Sequence, residues 1–135
     1  SLMHPKDKKV VLFSVPGAFT PTCSAKHLPG FITYASAFKE KKVDMIVCLS
    51  VNDPFVMKAW SEANKAGKDI TFLADGNASF SDALGLTFDG SLYALGKRSQ
   101  RFAMILNGLK VEKLFLEKPG VFDVSSAQKV LAYFS

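Results

Sequence analysis

The stretch Lys9-Val-Val-Leu-Phe-Ser-Val15, running directly into Pro16-Gly-Ala-Phe-Thr-Pro-Thr-Cys23, is where the chain commits to an architecture. Seven residues of mainly β-branched, aromatic and aliphatic character, closed by Pro-Gly, read as a strand covered on both faces. A strand with one wet face would alternate with polar side chains instead. Pro16 and Pro21 stiffen the turn that follows and keep it out of helix. A helix is expected to begin at Thr22 or Cys23 and to be interrupted by Pro29 and Gly30. Beyond the break, Phe31, Tyr34, Ala35 and Phe38 return at helical spacing.

Working outward, Asp44 to Val51 (DMIVCLSV) reads as a second buried strand. Asn52-Asp53-Pro54 then starts a helix, with Asp53 as N-cap, Pro54 at N1 and an inward face of Val56, Ala59, Trp60 and Ala63, stopping at Gly67. Ile70 to Ala74 is a third strand, and a short helix starts at Asn77 or Ser79 and ends at Gly85. Phe102 to Leu106 and Val111 to Leu116 flank Asn107-Gly108, a hairpin signal. Ser125-Ser126-Ala127-Gln128 reads as a capping box for a last helix with Val130, Leu131 and Phe134 inward. This order, β-turn-α-β-α-β-α-β-β-α, combines parallel right-handed crossovers with a closing antiparallel hairpin. It predicts an α/β chain of the thioredoxin-like class, a central mixed β-sheet flanked by helices on both faces. No repeat, low-complexity tract or linker divides the sequence, so residues 1–135 are expected to form one domain.

Composition narrows the function classes. With 135 residues, 48% hydrophobic and 21% charged, the chain is globular rather than disordered. Two cysteines, Cys23 and Cys48, and two histidines are too few for a disulfide-stapled scaffold or a structural zinc cage. The net charge of +5 comes from lysines, which make up fifteen of the 17 basic residues and are scattered along the chain. Nucleic-acid binders concentrate such charge on one face and interleave aromatics, so no nucleic-acid partner is expected. No stretch approaches the roughly 18 apolar residues of a membrane span, and no membrane partner is expected. No apolar leader opens the chain. The expected compartment is cytoplasmic, with an organellar transit segment upstream as the alternative.

Sites in open α/β sheets form at the carboxyl ends of the strands. Cys23 lies in the turn after the first strand, at or near a helix N-terminus, where unpaired N–H groups stabilise a thiolate. Thr20 places a hydroxyl three residues before it, able to donate to a thiolate or to a bound oxygen. His27 is four residues after Cys23, so a Cys–His couple is sterically allowed, although no Asp or Asn is marked out to orient it. Cys48 sits mid-strand in Ile46-Val47-Cys48-Leu49 and reads first as a packed thiol. The absence of any Cys-x-x-Cys argues against dithiol exchange of the thioredoxin type. The only two arginines, Arg98 and Arg101, stand just before the strand at Phe102, where a guanidinium can reach the Cys23 loop.

Pro16-Gly17-Ala18-Phe19-Thr20-Pro21-Thr22-Cys23 fits the Pro-x-x-x-Thr-x-x-Cys signature of the peroxiredoxins. With SVNDPFVMKAW, FLADG and GKRSQRFAM, the chain from about Lys9 to Phe134 resembles the type II or Prx5-like subfamily, most closely its plant-type members. The resemblance implies a thiol peroxidase that reduces hydrogen peroxide and organic hydroperoxides without metal or organic cofactor. It implies Cys23 as the peroxidatic cysteine, Thr20 and Arg101 as the groups that orient the peroxide and stabilise the thiolate, and Pro16 as the shield of the pocket. Plant-type members carry a second cysteine on the strand before the Asn-Asp-Pro turn, which Cys48 matches as a possible resolving thiol. The resemblance further implies a homodimer, and regeneration by glutaredoxin with glutathione or by thioredoxin. Relatives usually have an N-terminal β-hairpin where this chain has about eight residues before Lys9, so part of that hairpin is expected to be missing. Two other readings use the same residues. One is a thioredoxin-fold redox sensor or binding module with little turnover, and the other a hydrolase built on Cys23 and His27.

Overall fold

The strand β1 (Lys9–Val15) takes the centre of a five-stranded sheet of order β3-β2-β1-β6-β7. The computed structural model describes residues 9–18, 26–65, 70–91, 96–107, 110–118 and 122–134. Its elements run β1, α1 (Leu28–Thr33), α2 (Ala35–Glu40), β2 (Met45–Ser50), α3 (Pro54–Ala63), β3 (Thr71–Ala74), α4 (Ser79–Ala83), β4 (Thr87–Asp89), β5 (Lys97–Ser99), β6 (Phe102–Asn107), β7 (Lys110–Leu116) and α5 (Ala127–Ala132). β1 pairs parallel with β2, Phe13 opposite Cys48, and antiparallel with β6, Ser14 opposite Phe102. β2 pairs parallel with β3, and β6 antiparallel with β7. The sheet is therefore mixed, as the element order requires.

The apolar run Val10–Phe13 of β1, resumed at Val15, is explained by two cores. Successive side chains of a strand point to opposite faces. Val11, Phe13 and Val15 meet Leu28, Phe31, Ala35 and Phe38 of α1 and α2, Met57 and Trp60 of α3, and Val130 of α5. Val10 and Leu12 face the other way, with Val47, Leu49, Phe102, Met104 and Leu106, and Phe80 of α4 packs against them. Burying a side chain such as Phe13 contributes roughly 1.5–3 kcal/mol relative to leaving it exposed.

Several local expectations shift. The expected helix start at Thr22 or Cys23 lies outside the described residues; Lys26 and His27 are wound as a π-helical turn, and Pro29 and Gly30 stand where this passes into α1. The interruption falls at Tyr34, between α1 and α2, with φ −97° and ψ 10°. Asp53 caps α3 as expected, accepting from the Val56 N–H at 2.8 Å. The inward face of that helix is Met57 and Trp60, however, and Ala59 and Ala63 are exposed. α3 ends at Ala63, and Gly67 lies outside the described residues. The last helix is capped by Ser126 rather than Ser125, its side chain accepting from Lys129 N–H at 3.3 Å. A second, two-stranded sheet of β4 and β5 went unread, because three residues per strand carry too short a pattern.

Candidate active site

Pro16 and Arg101, two of the groups that the sequence singles out, stand at the carboxyl end of β1. Pro16 forms a bend there and is partly buried. The loop it opens is tied to the end of β2. Asn52 Oδ1 accepts from the Ala18 N–H at 3.0 Å and also from the Ser50 hydroxyl. Arg101 directly precedes β6. Because Ser14 pairs with Phe102, its backbone stands beside the same end of β1. Thr20 and Cys23 lie outside the described residues.

Arg101 is held by a histidine. Its Nη1 donates to His27 Nδ1 at 2.8 Å, and His27 Nε2 lies 3.0 Å from the Ser125 carbonyl oxygen. A guanidinium has only donors and a carbonyl only acceptors. The imidazole must therefore be neutral, with its proton on Nε2 and its lone pair on Nδ1 aimed at Arg101. Burial drives this state most strongly, and the Arg101 charge adds to it. Together they lower the His27 pKa to about 3, against the raising effect of the Ser125 carbonyl. Phe13, Phe31 and Phe122 surround the ring at centroid distances of 5.0, 5.7 and 5.1 Å. The Arg101 guanidinium also lies 5.8 Å from the Phe122 ring centre, a cation–π contact.

Ser125 is in turn anchored by Glu117, a carboxylate only 6% exposed. Glu117 Oε2 accepts from the Ser125 N–H at 2.9 Å, from the Ser125 hydroxyl at 2.8 Å and from the Asp123 N–H. Nothing local in the sequence marks Glu117, and the Ser125-Ser126-Ala127-Gln128 pattern suits a helix cap. The available signal was a lone acidic residue directly after an apolar strand, which is too common to single out. The spacing from Cys23 to His27 allows a base at His27. A histidine whose Nδ1 faces an arginine and whose pKa is near 3 holds its proton too weakly to serve as one near neutrality.

The second arginine has different work. Arg98 Nη1 donates to the Val51 carbonyl at 2.8 Å, linking β5 to the end of β2. Next to it, Ser99 and Ser14 share a buried hydroxyl–hydroxyl hydrogen bond of 2.6 Å. Cys48 is fully buried among the side chains of the core that holds Phe13, Phe31 and Trp60. Among the described residues no cluster of three or more His, Cys, Asp or Glu is disposed to hold a metal ion, and no helix is long and apolar enough to cross a membrane.

A mixed sheet flanked by helices, with a polar cluster at the carboxyl end of its central strand, places the chain in the thioredoxin-like class. The comparisons carry this further. A family model described as Redoxin matches residues 1–131. The chain is 54% identical over 124 residues to "Peroxiredoxin-2B" of Arabidopsis thaliana, covering 92% of this chain and 76% of that protein. It is 45% identical over 132 residues to "Hybrid peroxiredoxin hyPrx5" of Haemophilus influenzae, covering 96% of this chain and 54% of that one. Among solved structures, reduced Prx3 from Vibrio vulnificus in complex with H2O2 superposes with a TM-score of 0.93 at 54% identity, covering 96% of this chain and 83% of that chain. The chain belongs to the redoxin family and, within it, to the type II peroxiredoxins. It is a thiol-dependent peroxidase.

Proposed function

We propose that Cys23 is the peroxidatic cysteine of a single catalytic domain, served by Thr20, Arg101 and Pro16. The substrates are hydrogen peroxide and organic hydroperoxides. The observation that carries this reading is the Arg101–His27 hydrogen bond. It attaches the guanidinium to a residue four positions after Cys23, while Pro16 opens the loop leading to Cys23 from the other side. In this reading the Cys23 thiolate attacks the terminal oxygen of R–O–O–H, and the O–O bond breaks as the S–O bond forms. The products are Cys23 sulfenic acid and, after the departing RO⁻ takes a proton, ROH. Arg101 and the Thr20 hydroxyl stabilise charge growing on the leaving oxygen, a contribution of a few kcal/mol per donor. Pro16 shields the sulfur from bulk water. No metal or organic cofactor enters the step.

Reduction comes from outside the chain. The full burial of Cys48 supports an external thiol, glutathione with glutaredoxin or thioredoxin, over an internal disulfide. Two reduced thiols return Cys23 to the thiol, yielding one disulfide and water. A reducing, cytoplasmic setting is part of the same reading, since turnover draws on reduced thiols. So is a homodimer, supported by Phe55. It stands 84% exposed on α3, close to the Asn52 that ties the Pro16 loop. A monomer in sedimentation would count against it.

Steady-state peroxide consumption with each reductant, together with intact mass after one equivalent of peroxide, tests the proposal. Cys23→Ser should abolish turnover, and wild type should gain one oxygen. Turnover surviving in Cys23→Ser removes Cys23 from its role. A loss of two hydrogens in wild type makes Cys48 the resolving partner instead. A wild-type rate no faster than free thiol returns the sensor reading.

A further inference from the structure

The buried carboxylate of Glu117 belongs to a hydrogen-bond circuit that begins and ends on Arg101. The Glu117 N–H donates to the Arg101 carbonyl at 3.1 Å, continuing the β6–β7 ladder by one residue. Glu117 Oε2 takes both donors of Ser125, the Ser125 carbonyl faces His27 Nε2, and His27 Nδ1 receives Arg101 Nη1. The main chain of Arg101 and its guanidinium are thus the two ends of one closed path.

We propose that Glu117 is a positioning residue for Arg101, acting through the Ser125 carbonyl and the tautomer of His27. This rests on the reading of Arg101 as a peroxide-binding group. A neutral imidazole has two tautomers, and only the one protonated on Nε2 offers Arg101 an acceptor. Arg101 on one side and the Ser125 carbonyl on the other select it together. If that carbonyl moves away, the Nε2 proton loses its acceptor and the selection weakens. The Nδ1–H form, which aims a donor at a group that has only donors, then gains population. The Ser125 peptide is kept in place by a carboxylate, whose bonds to N–H and O–H donors are charge-assisted and so stiffer than neutral ones. Phe122, packed on both His27 and Arg101, lies directly before the anchored segment, so loosening residues 123–125 would also loosen that ring. The Glu117 carboxylate lies behind Ser125, His27 and Phe122 in this path and reaches the guanidinium through them.

The test uses the intact chain, hydrogen peroxide as substrate and four variants: Glu117→Ala, Glu117→Gln, Arg101→Ala and the Glu117→Ala/Arg101→Ala pair. Long-range proton–nitrogen spectra of the histidine rings, assigned with His27→Phe, report the tautomer directly. Wild type should show Nε2–H only. Glu117→Ala should show a mixture, with kcat/KM for peroxide reduced about 3–10-fold, up to the loss of one hydrogen bond to Arg101. Glu117→Gln, whose amide oxygen still accepts, should lose less, and it carries the measurement if Glu117→Ala does not fold. The double variant should be no slower than Arg101→Ala alone. A folded Glu117→Ala with an unchanged tautomer, or with kcat/KM within twofold of wild type, overturns the proposal, as do losses that add in the pair. If Arg101→Ala itself keeps the wild-type rate, the reading of Arg101 fails and takes the proposal with it. If only the Glu117 variants are inert, the proposal fails and that reading stands.

Discussion

His27 and Cys48 occupy the same layer on one face of the sheet, and both are fully buried. Phe13 touches each: its ring lies 5.0 Å from His27, and it pairs in register with Cys48 across β1 and β2. Burial acts on the two side chains in different ways. At His27 it removes the proton, and two directed polar neighbours turn the neutral ring into a rigid link between Ser125 and Arg101. At Cys48 it shuts the sulfur away from solvent, in the core that holds Phe13, Phe31 and Trp60. Equal depth thus accompanies two different chemical neighbourhoods, and depth alone does not decide what a titratable group does.

The largest expected effect on this contrast comes from acid. The folded His27 pKa is about 3, and the unfolded value is near 6.5. Between those two pH values the unfolded chain binds a proton that the folded chain refuses, so stability falls as the pH falls through that window. This one group should cost on the order of 3 kcal/mol between pH 7 and pH 4. Urea unfolding of wild type and His27→Phe across that range isolates it, because the variant lacks the titration. Parallel pH dependences in the two proteins would show that His27 is not held neutral.

A smaller effect is expected on rate. His27→Phe keeps a ring among Phe13, Phe31 and Phe122 but offers Arg101 no acceptor. Its kcat/KM for peroxide should fall roughly tenfold, the equivalent of one hydrogen bond of about 1.4 kcal/mol. An unchanged kcat/KM would put His27 on the same footing as Cys48. The smallest effect is expected at Cys48 itself. Cys48→Ala should cost about 1 kcal/mol in unfolding free energy, the ordinary scale of a small core truncation. Turnover with glutathione and glutaredoxin should stay within twofold. A collapse of that turnover would give Cys48 a chemical role and erase the distinction between the two sites.

Much of the frame was legible before any coordinates. The mainly apolar stretch Lys9–Val15 announces a strand with two covered faces, and both cores are there. Asp53-Pro54 announced a capped helix start, since N-cap chemistry and the fixed φ of proline act within a few residues. The errors are local ambiguities that packing resolves. Ser125 and Ser126 are equally good caps in isolation. The carboxylate of Glu117 claims the first, and the second is left to α5. Ala59 and Ala63 share a helical stripe with Trp60, but the core selects the stripe through Met57 because it needs the larger side chain.

The sequence by itself determined the alternation of strands and helices, the mixed sheet and the turn that leads to Cys23. Each of these rests on hydrophobic period, proline and capping, which operate over one to four residues. Only the tertiary structure decided what the two arginines and the histidine do. Arg98 goes to a β2-end carbonyl, Arg101 to an imidazole, and the imidazole to a peptide carbonyl held by Glu117. The Arg101–His27 and His27–Ser125 bonds join residues 74 and 98 positions apart. No local pattern encodes such a pairing. It exists because folding brings three separate segments to one end of the sheet, where a buried ring must find a donor on one side and an acceptor on the other.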